Sequence, residues 1–184
     1  RVGQIVKYRH CFSGMYKMTI IIFGQFLSLL KNCPGEEKKM KTCKDVMTPN
    51  PVCCLPTDNV IEVAQTMKRE NIGPMPVIDN TESQKLIGII TDRDLAMKIV
   101  GEGRDPRSTR VEAVMSRKIV TCRADDEINI AMKLMSDHQI RRIVVVDHAN
   151  TVEGIISQAD LATRMNQPEK TAEVVKEISQ ANND

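Results

Sequence analysis

The stretch GIITDRD at positions 88–94 returns in altered form as GIISQAD at positions 154–160. In both copies an apolar run typical of a β-strand leads into a hydroxyl residue, and an aspartate follows three positions later. That spacing is typical of a helix start, where the hydroxyl and the carboxylate satisfy the free backbone amides of the first turn. The two copies therefore predict the same strand-to-helix unit twice in one chain.

The duplication extends well beyond these two stretches. From position 45 onward, a shift of 68 positions superposes the Val-Met pair at 46–47 on the pair at 114–115, and Asp79 on Asp147. After a turn that is two residues shorter in the second copy, a shift of 66 positions continues the match into the following helix. A match that keeps its alignment over this length indicates an internal repeat.

Each copy is predicted to contain a short strand, an amphipathic helix, a two-stranded hairpin and a second helix. The helices follow from apolar residues at helical spacing, and the strands from short apolar runs between polar turn residues. In the first copy these elements cover residues 51–54, 59–70, 75–79 and 86–91, with a closing helix that begins at Thr91. In the second copy they cover residues 119–122, 127–137, 143–147 and 152–157, with a closing helix that begins at Ser157.

A repeat of about 50 residues is too small to bury its apolar face alone, which predicts that the two copies pack on each other. The predicted fold is α/β, of the α+β kind, with two βαββα repeats packed by pseudo-two-fold symmetry. The predicted boundaries are an N-terminal extension at 1–43, a first repeat at 44–100, a linker at 101–110, a second repeat at 111–165 and a C-terminal segment at 166–184. Within that last segment a helix is predicted at 168–180, after a proline start.

The N-terminal extension combines basic residues with an apolar run from Thr19 to Leu30. That run is shorter than the ~20 apolar residues that a membrane span needs. No small-residue cleavage site follows it, as a secretory signal requires. We therefore expect an added strand or helix that packs on the repeats or on a second copy of the chain, and an exported protein is the less favoured alternative.

Composition argues against several classes of function. A net charge of +2, with 3% aromatic residues and no tryptophan, does not favour nucleic acid or a membrane surface as partner. The six cysteines form no Cys-x-x-Cys pair, which disfavours a zinc site and favours the reduced thiols of a cytoplasmic protein. No Ser-His-Asp set, phosphate-binding glycine loop or pair of metal ligands can be assembled, so neither catalysis nor a metal site is predicted.

The two copies share three short motifs: Val-Met followed by Thr or Ser, a strand that ends in aspartate, and Gly-Ile-Ile-Thr/Ser-x-x-Asp. This paired pattern resembles the CBS domain, and residues 44–165, about two-thirds of the chain, resemble a stand-alone tandem CBS pair, or Bateman module. The resemblance implies a non-catalytic regulatory module that binds AMP, ATP, NAD or S-adenosylmethionine between the repeats, without a required cofactor. We expect it to act as a homodimer or on a separate effector protein.

The resemblance also implies roles for particular residues. Asp94 and Asp160 would hold the ribose hydroxyls, because a carboxylate accepts two hydrogen bonds from a vicinal diol, with Thr91 and Ser157 beside them. The residues that would enclose the adenine come from strand positions: Val52, Ile72, Val120 and Ile140. The glycine of each Gly-Ile-Ile motif would let the ligand approach the backbone. From the residues alone, helix capping without a ligand is the alternative.

The copies differ at the phosphate end. Arg141 and Arg142 precede the second-copy strand, where the resemblance places phosphate-binding residues, and the first copy has Gly73 and Pro74 there. Guanidinium groups grip phosphate oxygens in paired hydrogen bonds, whereas glycine and proline carry no charge. One well-equipped site is therefore predicted. Its members are Asp160, Ser157, Arg141 and Arg142, with Ile72 and Gly73 from the other repeat.

A second, less well-equipped site is predicted around Asp94. It would use Arg93 and the opposing Arg141 as its basic groups. The alternative for Arg141 and Arg142 is a solvated strand end, since exposed arginines are common on protein surfaces. In that case neither arginine would meet a ligand.

Two other functions stay open at this point. One is a redox- or metal-responsive sensor that uses Cys53, Cys54 and Cys122, and the other is a dimerisation module with empty clefts. Cys54 and Cys122 occupy equivalent repeat positions, so a pseudo-dyad between them would bring their thiols together. A role as small core residues is the favoured alternative.

Overall fold

A computed structural model describes residues 40–165 and 168–180. The predicted N-terminal extension therefore lies outside the described residues, except for positions 40–43. The elements up to the linker are α1 (Cys43–Val46), β1 (Thr48–Pro49), α2 (Val60–Glu70), β2 (Pro74–Ile78), β3 (Leu86–Thr91) and α3 (Asp92–Asp94), which continues as a π-helical segment (Leu95–Val100). The elements that follow are a 3₁₀ turn (Val111–Ala113), β4 (Thr121–Arg123), α4 (Ile128–Asp137), β5 (Arg142–Val146), β6 (Val152–Ser157), α5 (Gln158–Arg164) and α6 (Pro168–Gln180).

The hairpin strands lie close to where the sequence pattern predicts them. β3 and β6 match residues 86–91 and 152–157, and β2 and β5 each start and end one residue earlier than predicted. Helices α2 and α4 start one residue later than predicted, directly after their N-cap residues. Thr91 and Ser157 are the N-caps of α3 and α5, and α6 covers the predicted residues 168–180.

The prediction of a strand at 51–54 is wrong. Cys54 alone within this segment makes a ladder contact, a parallel bridge to Val77, and its amide donates to the Pro76 carbonyl over 3.0 Å. The proline at position 51 has no amide hydrogen, so it cannot extend the ladder. In the second repeat the equivalent strand exists but is shifted to Thr121–Arg123, where it pairs in parallel with β5.

Each repeat contributes residues to one edge of the sheet of the other repeat. The second-repeat sheet has the order β1-β6-β5-β4, so its edge strand β1 comes from the first repeat. In the first-repeat sheet, β2 pairs with β3, and Ser116 of the second repeat forms an antiparallel bridge with Ile89 of β3. The two repeats are therefore joined by main-chain hydrogen bonds as well as by side-chain packing.

The exchange extends into the two cores, because the Val-Met pair of each repeat is buried in the core of the other repeat. Each incoming methionine lies against the glycine of a Gly-Ile-Ile motif. A Cβ on Gly88 would lie 2.7 Å from Met115 Sδ, and a Cβ on Gly154 would overlap Met47 Sδ. These glycines therefore make room for a methionine, and the expectation that they admit a ligand is wrong.

A third apolar cluster lies between the two sheets. Its buried members are Ile78, Leu86, Val144, Val146 and Val152. The hairpin tips meet in the same region, since the Leu86 amide donates to the Asn150 carbonyl over 3.0 Å and the Val152 amide to the Gln84 carbonyl over 3.1 Å. The repeats thus pack sheet against sheet, while α6 packs on α4 and α5 and buries Ile178 in the second-repeat core.

Candidate ligand-binding cleft

A hydroxyl and a carboxylate begin both closing helices. In the first repeat the Thr91 hydroxyl donates to Asp94 Oδ2 over 2.7 Å, and the Asp94 amide donates back to the hydroxyl oxygen over 3.1 Å. In the second repeat the corresponding distances between Ser157 and Asp160 are 2.6 and 3.2 Å. The capping interpretation is therefore confirmed in both repeats. The cap uses Oδ2 of each carboxylate, so Oδ1 is left for another partner.

Lys98 binds the second oxygen of the first-repeat aspartate. Its Nζ lies 2.8 Å from Asp94 Oδ1 and donates to the Val114 carbonyl over 2.6 Å. Burial by itself raises the pKa of the Asp94 carboxyl, but the hydrogen bonds from Lys98 and Thr91 outweigh it, so this pKa lies below its usual value. Lys98 was not predicted, although its position four residues after Asp94 on a helix is the relevant signal.

Arg164 has the equivalent position in the second repeat. Its Nη2 lies 3.4 Å from Asp160 Oδ1, which also accepts a hydrogen bond from the Thr48 hydroxyl over 3.2 Å. Nη1 of Arg164 donates to the carbonyls of Val46 and Met47 over 2.8 and 2.6 Å. In both repeats, therefore, the aspartate is connected through a basic residue to the segment that arrives from the other repeat.

Both carboxylates are sheltered without being sealed off. The side chain of Asp94 is 15% exposed and that of Asp160 is 14% exposed. An acid with this exposure is open to a small ligand, and its interactions there are less screened than on the surface. Neither aspartate points outward into bulk solvent.

The start of β5, which was expected to bind phosphate, faces the start of β2 between the repeats. Arg142 pairs with Ser157 in the β5–β6 ladder, and its guanidinium extends to Gly73 of the first repeat. Nη1 of Arg142 lies 3.1 Å, and Oδ2 of Asp92 3.3 Å, from the point where a Cβ on Gly73 would be. We call this meeting of Gly73, Asp92 and Arg142 the seam. Asp92 was not predicted.

The other predicted residues differ in burial. Ile72 packs against the first-repeat core, whereas Val120 and Ile140 pack against the second-repeat core. Three of these other residues are exposed, Val52, Arg93 and Arg141, and Arg142 is exposed as well. Their roles in enclosing adenine and binding phosphate stay predictions.

Gln158 is a further residue that sequence reasoning missed. Its main-chain amide donates to the Arg141 carbonyl over 3.1 Å, next to the Ser157 cap. Its side-chain nitrogen is buried and has no hydrogen-bond partner among residues 40–165 and 168–180. The repeat alignment contains a usable signal, because a shift of 66 positions places Gln158 on Asp92.

A separate pocket of about 240 Å³ lies near the hairpin tips. Its lining residues are Asn50, Pro51, Cys53, Ile78, Gln84 and Val152. None of them belongs to the predicted ligand site. Burial raises the pKa of the Cys53 thiol to about 11, so this thiol is not a reactive thiolate at neutral pH.

The cysteines do not form the cluster that the sensor alternative needs. Cys54 is buried in the first-repeat core and Cys122 in the second-repeat core. Burial, with Asp58 nearby, raises the pKa of Cys54 to about 12, and the adjacent Cys43 thiol, followed by burial, raises that of Cys122. These thiols are small core residues, as the favoured alternative predicted.

Metal-ligand groups and membrane-spanning helices can be assessed for residues 40–165 and 168–180. In these ranges, no three His, Cys, Asp or Glu side chains lie close enough together to hold a metal ion. No described helix is both long enough and apolar enough to span a bilayer.

A duplicated unit whose copies each contribute an edge contact to the sheet of the other copy is the arrangement of a paired-repeat module. The CBS domain family model matches residues 43–101 and again residues 111–166. The chain belongs to the CBS domain family, and its two repeats form a CBS pair.

Relatives in bacteria share this organisation. CBS domain-containing protein YhcV of Bacillus subtilis is 36% identical over 143 residues, which cover 78% of this chain and 99% of that protein. Hypoxic response protein 1 of Mycobacterium tuberculosis is 29% identical over 126 residues, which cover 68% of this chain and 86% of that protein. The similarity therefore spans nearly the whole of relatives that are themselves short.

Solved CBS pairs confirm the predicted fold class. The CBS domain pair of protein MJ0100, in complex with 5′-methylthioadenosine and S-adenosyl-L-methionine, matches with a TM-score of 0.60 and 28% identity over 67% of this chain and 94% of that chain. Hypoxic Response Protein I, with two coordinated zinc ions, matches with a TM-score of 0.61 and 27% identity over 68% of this chain and 99% of that chain.

Proposed function

We propose that this CBS pair is a non-catalytic regulatory module that binds an adenosine-containing small molecule, with AMP, ATP, NAD and S-adenosylmethionine as the candidate ligands. The observation that carries the proposal is the Asp160 carboxylate, which is 14% exposed and held in position by its own helix cap. One oxygen caps the helix, and the other lies among groups that a ligand hydroxyl can replace. A ribose diol is a suitable partner for such an acid.

The ligand bound by a similar structure supports this choice. The CBS pair of protein MJ0100 is in complex with two adenosine derivatives, 5′-methylthioadenosine and S-adenosyl-L-methionine. In the present chain, Ser157 would stand beside the ribose and Arg142 beside the tail of the ligand, with Ile72 near the adenine. The site around Asp94 would be a second, weaker one that uses Thr91 and Arg93.

Regulation would follow from the contacts that the Asp160 carboxylate already makes. Oδ1 lies near Arg164 and accepts a hydrogen bond from Thr48, which belongs to the strand that the first repeat lends to the second. A ribose hydroxyl at this oxygen would compete with both groups. Binding would therefore change the stability of the contact between β1 and the second repeat. It would thereby favour one arrangement of the two repeats. A homodimer partner or a separate effector protein would respond to that change.

Asp160→Asn tests the proposal, because the amide keeps the size of the side chain and an oxygen that accepts the capping hydrogen bonds. We expect adenosyl ligands to bind at least about tenfold more weakly, the size of one lost charge-assisted hydrogen bond. Isothermal titration with AMP, ATP, NAD, S-adenosylmethionine and 5′-methylthioadenosine measures this. Thermal unfolding of the variant shows whether the fold is retained.

Asp137→Asn is the matched control, since the Asp137 side chain is half exposed and its ion-pair partner is Lys133, which lies on the same helix α4. It should leave every affinity unchanged. Equal affinities for wild type and Asp160→Asn would remove Asp160 from the site. If wild-type protein bound none of the five probes, the proposed function itself would be wrong.

A further inference from the structure

Opposite charges from the two repeats meet at the seam. The Arg142 guanidinium and the Asp92 carboxylate approach the same side of Gly73, within 3.1 and 3.3 Å of one point. Because glycine has no side chain, both groups can approach that point. A cation and an anion are thus displayed together beside the strand end that pairs with Ser157.

The local structure holds Asp92 in this position. Its amide donates to the Gly73 carbonyl over 3.0 Å, and its Oδ1 accepts from the Arg93 amide over 2.9 Å. Oδ2 is the oxygen directed at Gly73. A side chain at position 73 would crowd the guanidinium, since its Cβ would lie 3.1 Å from Nη1.

The arrangement is specific to one side of the repeat pair. Shifts of 68 and 66 positions place Arg141 on Gly73 and Gln158 on Asp92. At these positions the second repeat has a basic residue and a neutral amide. The first repeat has a glycine, which has no side chain, and an acid. Of these two aligned positions, Asp92, on the Gly73 side, is the one that carries a carboxylate.

We propose that Arg142 and Asp92 select a ligand whose tail carries both charges, so that the preferred ligand is an adenosyl amino acid such as S-adenosylmethionine rather than an adenine nucleotide. This inference rests on the proposed function and narrows its ligand class. A guanidinium binds a carboxylate or a phosphate, but a neighbouring carboxylate attracts an ammonium group and repels phosphate. The α-carboxylate of the amino-acid tail meets Arg142, and the α-ammonium group meets Asp92.

Titration of the full chain with three probes tests this selection. S-adenosylmethionine has a zwitterionic amino-acid tail, AMP has an anionic tail, and 5′-methylthioadenosine has an uncharged one. In Asp92→Asn we expect AMP to bind about three- to tenfold more tightly and S-adenosylmethionine to bind more weakly by a similar factor. In Arg142→Gln both charged ligands should weaken about tenfold. The affinity for 5′-methylthioadenosine should stay within about twofold in both variants.

Two surface variants serve as controls, Asp137→Asn on α4 and Arg69→Gln on α2, because both side chains are more than half exposed on outer helices. They should leave the ratio of the S-adenosylmethionine and AMP affinities unchanged. The inference is overturned if Asp92→Asn leaves that ratio unchanged while 5′-methylthioadenosine still binds, an outcome that keeps the proposed function. If wild-type protein bound none of these three probes, the selection would be rejected, and if it bound neither ATP nor NAD either, the proposed function would be rejected with it.

Discussion

The two repeats share one backbone plan and differ in the groups that they contribute between them. Both have the same hairpin, the same capped closing helix and the same exchanged edge. At the strand and helix ends, however, the first repeat has a glycine, a proline and an acid where the second has two arginines and an amide: Gly73, Pro74 and Asp92 against Arg141, Arg142 and Gln158.

This difference separates what the fold needs from what is free to vary. The caps and the edge exchange are made by main-chain amides and carbonyls that find hydrogen-bond partners in both copies. The charged residues at these ends, Asp92, Arg141 and Arg142, are exposed, so we expect substitutions there to have little effect on stability. Ligand preference is therefore expected to reside in the asymmetric residues, and stability in the symmetric ones.

Gly154→Ala should have the largest effect on stability and should separate the two symmetric glycines. The new Cβ would approach Met47 Cβ to 3.1 Å as well as its Sδ and Cγ, whereas at Gly88 the closest atom is the flexible Met115 Sδ. Met47 Cβ cannot move away without its main chain, so we expect a loss of about 3 kcal/mol for Gly154→Ala and about 1 kcal/mol for Gly88→Ala.

Urea unfolding at constant pH measures both free energies. The double variant Met47→Ala with Gly154→Ala provides the control, because it removes Sδ and Cγ and leaves the 3.1 Å contact with Cβ, so part of the clash is cancelled and the effects should be non-additive. An equal or larger loss for Gly88→Ala would show that the two exchanged edges are not packed as described.

Arg164→Met and Lys98→Met compare the two anchors of the exchanged segments and should have intermediate effects. Arg164 donates to two carbonyls of the incoming segment, and Lys98 donates to one. We expect losses of about 2 and about 1 kcal/mol, since each carbonyl that loses its donor contributes about 1 kcal/mol. Thermal and urea unfolding report the totals. A greater loss for Lys98→Met would reverse the ranking and refute this explanation.

Much of the fold was predictable because the deciding signals are local. The β3 and β6 boundaries and the caps at Thr91 and Ser157 follow from patterns within six or seven residues. The exchanged edges were not predictable, because β1 has two residues and pairs with a strand more than 100 positions away. No periodicity can be measured over two residues. The proline at position 51 was the overlooked signal against the strand predicted there.

The candidate site also contains residues that could be predicted from the sequence and residues that could not. Arg142 and Gly73 were assigned to one site, and in the structure the Arg142 guanidinium lies 3.1 Å from the point where a Cβ on Gly73 would be. Lys98 and Arg164 were missed, although each follows an aspartate by four residues on a helix. Asp92 was missed because its importance depends on a side chain that arrives from the other repeat.

Asp94→Asn should have the smallest effect and should detect the ion pair with Lys98 through the pH dependence of stability. The pKa of Asp94 is lower in the folded chain than the ~3.9 of an unfolded aspartate, so its ionised form stabilises the fold above that pH. The stabilisation is lost as the pH falls through the folded pKa. Asn cannot ionise, so urea unfolding should show a shallower loss of stability between pH 7 and pH 3, by about 0.5 kcal/mol or less. Lys98→Met should flatten the same profile, because burial, which raises the pKa of the Asp94 carboxyl, is then opposed by the Thr91 hydrogen bonds without the lysine, so the pKa moves back toward its usual value. A wild-type slope in both variants would show that this ion pair does not contribute to stability.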